Sequence, residues 1–318
     1  MRALVFDNGL SLQENYPDPQ PVAGESVVRV DLAGICGTDL ELTRGYMNFR
    51  GVPGHEFVGH VVHSDDASLI GRRVAGEINA GCGHCEACKT TAARHCPIRT
   101  VLGILGRDGA FAEYLRLPNK NLFAVPDTIS NEAAVMIEPL AAAYEIFART
   151  TFARDASIIV LGDGRLGAIV ALAFKAKGYQ TLIAGHHAKK LDRLAALGIG
   201  TADPNDFQRQ YDVVVDCTGK SNGFTQALTL VRPCGTIILK STAAAGATLN
   251  LAPIVINEIT VTGSRCGRFQ PAIAALAAGA NGTIDLQPLV DGVYPLSNAP
   301  KAFEAAADPL NFKILIRP

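Results

Sequence analysis

From Ala156 to Ser264 the chain alternates continuous apolar strands with helices, a pattern that few architectures accept. SIIVLG, TLIAG, YDVVVDCTG, GTIILK and ITVTGS read as strands. Leu166–Lys177, Lys189–Leu197 and Gly223–Leu230 read as helices, the first two ended by Gly178 and Gly198. Strands apolar at successive positions are buried on both faces, which predicts an α/β fold with a parallel sheet covered by helices on each side. Between the first strand and its helix lies Gly162-Asp163-Gly164-Arg165-Leu166-Gly167, the pattern G-x-G-x-x-G in the setting a dinucleotide requires. Gly162 would close the tight turn, Gly164 would admit a pyrophosphate to the backbone, and Gly167 would let helix and sheet pack closely. Free N–H groups at the helix start, from Arg165 and Leu166 onward, then face the negative charge. Strand ends at Asp216–Gly219 and Lys240–Thr242 fall on the same edge and are expected to border the cofactor.

The tip of the second strand bears on which cofactor is used. NAD sites of this type place an Asp or Glu there, against the adenosine ribose. This chain has Gly185-His186-His187-Ala188-Lys189-Lys190, with no acid between Gly178 and Asp192. A 2′-phosphate would repel a carboxylate but would accept hydrogen bonds from His186, His187, Lys189 or Lys190, and Arg165 could approach the same side. The expectation is NAD(P) use leaning to NADP.

The first third has another character. Residues 2–6, 25–33, 57–63, 72–76 and 111–117 have strand length and composition, separated by Gly-, Pro-, Asp- and Asn-rich segments. They predict a mostly β, barrel-like domain with chemistry on its loops. Asn131–Phe147 reads as a helix that Pro139 should kink or divide. The tail offers a helix at Ala299–Ala307 and a strand in NFKILIRP, which composition alone assigns to neither domain.

Cys82-x2-Cys85-x2-Cys88-x7-Cys96 is the sharpest single motif. Four thiolates at such short spacing can close a tetrahedral zinc, and an iron–sulfur cluster is the rival. With every position filled by sulfur, the site would hold its loop and catalyse nothing. A second set, Cys36, then His55-Glu56, then Glu138, suggests an open, mixed-ligand zinc site, although spacing does not make these residues meet. His60, His63, His84 and His95 read as structural, and Cys217 and Cys234 as buried free thiols.

Charge excludes two partner classes. With 29 Lys+Arg against 30 Asp+Glu and no basic run, the chain has no field for nucleic acid or an anionic membrane. The opening MRALVFDNG lacks the apolar core of a signal peptide, and the most apolar segment is broken at Gly162–Arg165, so a cytoplasmic location is expected.

Taken in order, Cys36-Gly-Thr-Asp, Pro53-Gly-His-Glu-Phe-Val-Gly, the four-cysteine lobe, Ile137-Glu-Pro-Leu, the glycine turn and the lysine of the final strand make a pattern spanning nearly the whole chain. It resembles the zinc-containing medium-chain dehydrogenases, in particular their polyol and threonine dehydrogenase branch. The resemblance implies a GroES-like catalytic domain, 1–142 together with 272–318, and a Rossmann domain, 143–271, with substrate and catalytic zinc in the cleft between them. It implies two zinc ions per chain and catalytic ligands Cys36, His55 and Glu138 or Glu56. Asp39 would orient the imidazole of His55. Thr38 would begin the proton path, and Lys313 would approach the cofactor phosphates. Glu41 stands where many relatives carry a relay histidine, and Tyr46, Met47, Asn48 and Phe49 occupy the expected substrate wall.

The implied reaction is hydride exchange between a nicotinamide cofactor and an alcohol or carbonyl compound, with zinc as Lewis acid. Polyols, sugars and amino alcohols all fit the motifs, and a homodimer or homotetramer fits the family. The alternatives are a lyase or enone reductase on the same scaffold, or a non-catalytic binding protein.

Overall fold

The computed structural model describes residues 1–90, 93–203, 210–242, 249–278 and 284–318, and every structural statement below concerns these residues. The N-terminal segment carries strands β1 (Ala3–Phe6), β2 (Leu10–Gln13), β3 (Glu25–Gly34), β4 (Glu56–His63) and β5 (Arg73–Gly76). It continues with β6 (Asn79–Ala80), β7 (Thr100–Val101), β8 (Tyr114–Pro118) and β9 (Leu122–Ala124). β3 pairs antiparallel with β4 and with β8, β4 with β5, and β5 with β9. The strand expected at 111–117 begins only at Tyr114. Phe111 is already engaged in a loop, its carbonyl accepting from Leu4 N at 2.8 Å and its N–H donating to Pro53 O at 3.1 Å. Short helices α1 (Gly37–Leu42) and α2 (Glu86–Lys89) stand on loops of this segment.

The expected helix at 131–147 is two, α3 (Asn131–Val135) and α4 (Ile137–Arg149). Ser130 caps α3, its Oγ accepting from Ala133 N at 3.2 Å. The division falls at Met136, before the proline, which leaves Pro139 in the first turn of α4. Its missing N–H there deprives the helix of nothing.

The central part follows as β10 (Ile158–Leu161), α5 (Arg165–Ala176), β11 (Thr181–Ala184), α6 (Ala188–Ala196) and β12 (Gly200–Ala202). β13 (Tyr211–Asp216), α7 (Gly223–Leu230), β14 (Val231–Leu239), α8 (Ala252–Ile256) and β15 (Thr260–Gly263) complete it. Its six strands are all parallel, in the order β12-β11-β10-β13-β14-β15. Counted from β10 that is the order 3-2-1-4-5-6, with the topological switch between β10 and β13. Ile159, Leu161, Val214 and Ile237 are at most 1% exposed in its core, each stabilising the fold by roughly 1.5–3 kcal/mol. Cys217 is buried as expected, but Cys234 is not. The β13–β14 register shifts between Tyr211 and Val213, and Cys234 has a left-handed backbone (φ 58°) that leaves it exposed.

The tail supplies α9 (Phe269–Ala277), β16 (Val290–Pro295), α10 (Ala299–Ala307) and β17 (Lys313–Arg317). β17 lies antiparallel on β3, pairing Leu315 with Gly34, and β16 runs parallel to β17. The tail thus extends the N-terminal sheet into the order β16-β17-β3-β4-β5-β9. Among the described residues two compact units result: Met1–Glu138 with 272–278 and Asp285–Pro318, and Pro139–Pro271.

Candidate active site and metal centres

The segment between β6 and β7 folds so that one sulfur each from Cys82, Cys85, Cys88 and Cys96 lies within 4.8 Å of the others. Cys82 Sγ and Cys88 Sγ are 3.9 Å apart. Backbone N–H groups point at the sulfurs: Cys85 N donates to Cys82 Sγ at 3.4 Å, and Cys82 N to Cys96 Sγ at 3.5 Å. Those from His84 and Cys85 draw the Cys82 pKa down to about 6. Cys85 receives an N–H from Cys88, yet burial and the neighbouring sulfurs push it up to about 11. Four crowded sulfurs competing for protons are a donor set that a soft divalent cation satisfies, and zinc fits it.

The second set is assembled from separate elements. Cys36 caps α1, and Asp39 reaches back so that its Oδ2 accepts from Cys36 N at 2.8 Å while Oδ1 accepts from Gly54 N at 3.2 Å. These bonds tie the Cys36 loop to the turn that presents His55 and Glu56. Ligand atoms of Cys36, His55 and Glu56 lie within 4.8 Å of one another, with His55 3% and Glu56 1% exposed. His55 Nδ1 approaches Asp39 Oδ1 at 3.2 Å, outside hydrogen-bond alignment, and has no hydrogen-bond partner. Burial opposes a charged imidazole, yet Asp39 and Cys36 hold its pKa well above the ordinary histidine value. Thiol, imidazole and carboxylate are zinc donors, and the three ligand atoms converge closely enough to share one ion.

Other expected members stand differently. Glu138 lies outside this group, as the second residue of α4, where a helix N-terminus favours a carboxylate. Lys313, expected to face cofactor phosphates, is 2% exposed and donates from Nζ to Glu56 Oε2 and, at 3.2 Å, to Ile35 O. A buried ammonium requires such partners, and the β17–β3 pairing carries it to them. Thr38 Oγ lies 3.8 Å from Cys36 Sγ. Glu41 pairs with Arg44 at 2.7 Å and is half exposed, so it is engaged at the surface. Tyr46 and Met47 are exposed, Phe49 is buried, and Met47 and Asn48 both have positive φ, a strained segment. His60, His63, His84 and His95 belong to neither ligand group.

In the parallel sheet the glycine turn follows β10 at the switch point. Gly162 has φ 100°, and a Cβ on Gly167 would lie 1.9 Å from Gly162 O, so both positions exclude side chains. A Cβ on Gly164 would meet nothing within 4 Å, which leaves open room beside the backbone where α5 begins, with Arg165 and Leu166 half-buried behind it. A dinucleotide pyrophosphate fits that opening. At the tip of β11, His186 and Lys189 are exposed, whereas Lys190, expected as a donor to a 2′-phosphate, is 3% exposed. His187 N donates to Asp163 Oδ2 at 2.8 Å, and its Nδ1 lies 3.0 Å from both Asp163 oxygens. Burial would raise the Asp163 pKa, but His187 and then Lys190 hold it below the usual range. Reading the strand tip alone missed Asp163. Its place inside the glycine turn, one helix before the tip, was the available signal. Asp216 and Lys240 on the same edge are occupied locally, with Thr218 and with Ser264 and Arg265.

A doubly wound parallel sheet with a glycine turn at its switch point, together with two donor clusters that could each hold a cation, is the arrangement expected of a metal-dependent, nicotinamide-using oxidoreductase. Residues 22–127 match the alcohol dehydrogenase GroES-like domain, and residues 166–279 the zinc-binding dehydrogenase domain. The chain is 30% identical to sorbitol dehydrogenase of Bacillus subtilis (strain 168), over 100% of this chain and 97% of that one. Among solved structures it resembles the alcohol dehydrogenase RspB of Escherichia coli CFT073 complexed with NADH (TM-score 0.91, 25% identity, 100% and 99% coverage). It also resembles a Sinorhizobium meliloti 1021 protein described as a zinc-binding dehydrogenase and bound to NADP (TM-score 0.89, 26% identity, 100% and 99% coverage). The chain belongs to the zinc-containing medium-chain dehydrogenase family, in its polyol/threonine dehydrogenase-like branch. It is a zinc-dependent oxidoreductase that uses a nicotinamide cofactor on a small alcohol or carbonyl substrate. No helix is long and apolar enough to cross a membrane.

Proposed function

We propose that Cys36, His55 and Glu56 hold a catalytic zinc, that Cys82, Cys85, Cys88 and Cys96 hold a structural one, and that the substrate is a polyol, sugar or amino alcohol. The observation that carries this reading is the buried convergence of thiol, imidazole and carboxylate beside a cationic partner, Lys313. When bound, zinc supplies Lewis acidity toward a substrate oxygen, and the nicotinamide takes or gives the hydride. The chain's own groups do the rest. Asp39, whose Oδ1 lies 3.2 Å from His55 Nδ1, would orient the imidazole through its charge and strengthen it as a donor. The Thr38 hydroxyl receives and passes on the substrate proton. Lys313 balances Glu56, and Glu138 is left out of the direct ligands. Tyr46, Met47, Asn48 and Phe49 shape the substrate wall.

The same reading takes Gly162, Gly164, Arg165, Leu166 and Gly167 as the pyrophosphate site and favours NADP. Support comes from the absence of Asp or Glu in the residues 185–190 that follow β11 and from exposed His186 and Lys189. It takes 1–142 with 272–318 as the catalytic domain and 143–271 as the cofactor domain. A homodimer or homotetramer is supported by β15, an end strand of its sheet, and by Leu251, Val255 and Ile256, exposed at 56%, 78% and 77%. Eight free cysteines support the cytoplasm. The test is a screen of alcohols with NAD and NADP on zinc-loaded protein, with elemental analysis. Two zinc ions per chain and about tenfold higher kcat/KM with NADP are expected. Iron in place of zinc, or no hydride transfer with any alcohol, would overturn the assignment.

A further inference from the structure

The tip of β11 carries no acid in sequence, yet a carboxylate stands there. A Cβ built on Gly185, the residue after β11, would lie 2.3 Å from Cβ, Cγ and Oδ2 of Asp163. The Asp163 side chain therefore fills the volume in which a side chain at position 185 would begin. It arrives from the glycine turn, and Gly185 is the residue that makes room for it. Asp163 is 6% exposed, and its carboxylate holds the His187 backbone N–H and faces the His187 ring, with the buried Lys190 charge acting on it as well.

We propose that Asp163 is this chain's cofactor-discriminating carboxylate and that His187 masks it. The inference rests on the dinucleotide reading of the glycine turn given above. An unmasked carboxylate at a strand tip accepts the 2′-hydroxyl of NAD and repels the 2′-phosphate of NADP. A carboxylate has about four acceptor positions. Those engaged by His187 are withdrawn from the ribose, and the Lys190 ammonium offsets part of the charge. The strand tip is thereby made tolerant of phosphate although it contains an acid. Asp163 and His187 act as one specificity-determining pair, with His187 working largely through Asp163.

A double-mutant cycle tests this, read as the ratio of NADP to NAD affinity by calorimetry on zinc-loaded protein and as the ratio of kcat/KM values. His187→Ala unmasks the acid and should lower the NADP/NAD ratio about tenfold, and Asp163→Asn, which keeps the shape, should raise it about tenfold. In the Asp163→Asn background, His187→Ala should move the ratio by less than about threefold, because its target is gone. Asp163→Gly combined with Gly185→Asp re-roots the acid on the strand tip itself and should drive the ratio toward NAD. A ratio unmoved by Asp163→Asn, with both affinities falling together, would make Asp163 merely structural and overturn the proposal. Equal effects of His187→Ala in both backgrounds would also overturn it. Wild-type preference for NAD would remove the NADP reading while the cycle still decides this one. Binding of neither nucleotide by the folded wild type would remove both.

Discussion

The two donor clusters proposed as cation sites are built in opposite ways. The four-cysteine lobe draws every ligand from one short run between β6 and β7, and its sulfurs are oriented by N–H groups of that same run. The Cys36/His55/Glu56 site takes its ligands from the cap of α1 and the entry to β4. A carboxylate on α1 ties those pieces together, and a lysine on β17 balances their charge. A locally closed site can exist with little help from the rest of the domain. An assembled, buried site depends on strand register and on charge balance, so its supporting residues matter nearly as much as its ligands.

Substitutions can break or sharpen that contrast, beginning with the largest effect. Cys36→Ser should remove one zinc per chain and lower kcat/KM by about a thousandfold, because the Lewis acid goes with it. Its melting temperature should stay near that of the parent. Elemental analysis, kinetics and calorimetry read the three quantities together, and full activity with one zinc missing would reverse the roles of the two sites. Lys313→Met leaves Glu56 buried without its cation and should destabilise the metal-free protein by about 3–5 kcal/mol, measured by denaturant unfolding. An unchanged unfolding midpoint would mean that the Glu56–Lys313 pair does not hold β17 to the site.

Asp39→Asn keeps the side chain's size but removes its charge and one of the two acceptors that tie α1 to the His55 turn. A loss of about 10- to 100-fold in metal affinity or turnover is expected. Competition with a coloured chelator measures the first, and no change in either would deny Asp39 its orienting part. Cys85→Ser should change turnover least. Stability should fall with the loss of the structural ion, while kcat per folded molecule stays within about twofold of the parent. Active-site titration supplies the folded fraction. A stable, well-folded Cys85→Ser protein with no turnover would erase the distinction between the sites.

Much of the fold was legible because periodicity and spacing act at short range. The helices at Gly223–Leu230 and Ala299–Ala307 end where composition predicts. Edge strands were harder to see. β12 is three small residues, Gly-Thr-Ala, with too little apolar content to announce itself, and β16 (VDGVYP) buries none of its residues fully. Cys234 reads as a core thiol because its sequence neighbours are apolar, but a register shift turns it outward.

By itself, the sequence determined the parallel cofactor sheet, the glycine turn and the sulfur lobe, because each is written within one contiguous stretch whose residues meet once the local backbone forms. Only the tertiary structure decided that Lys313 pairs with Glu56 and that the Asp163 carboxylate stands beside the tip of β11. The Lys313–Glu56 bond joins residues 257 apart, through the pairing of β17 on β3. The Asp163–His187 contact spans 24 residues, across α5 and β11. Spacing in the chain carries no information about such meetings. Burial enforces them, since a buried charge must find its partner wherever the sheet register brings one within reach.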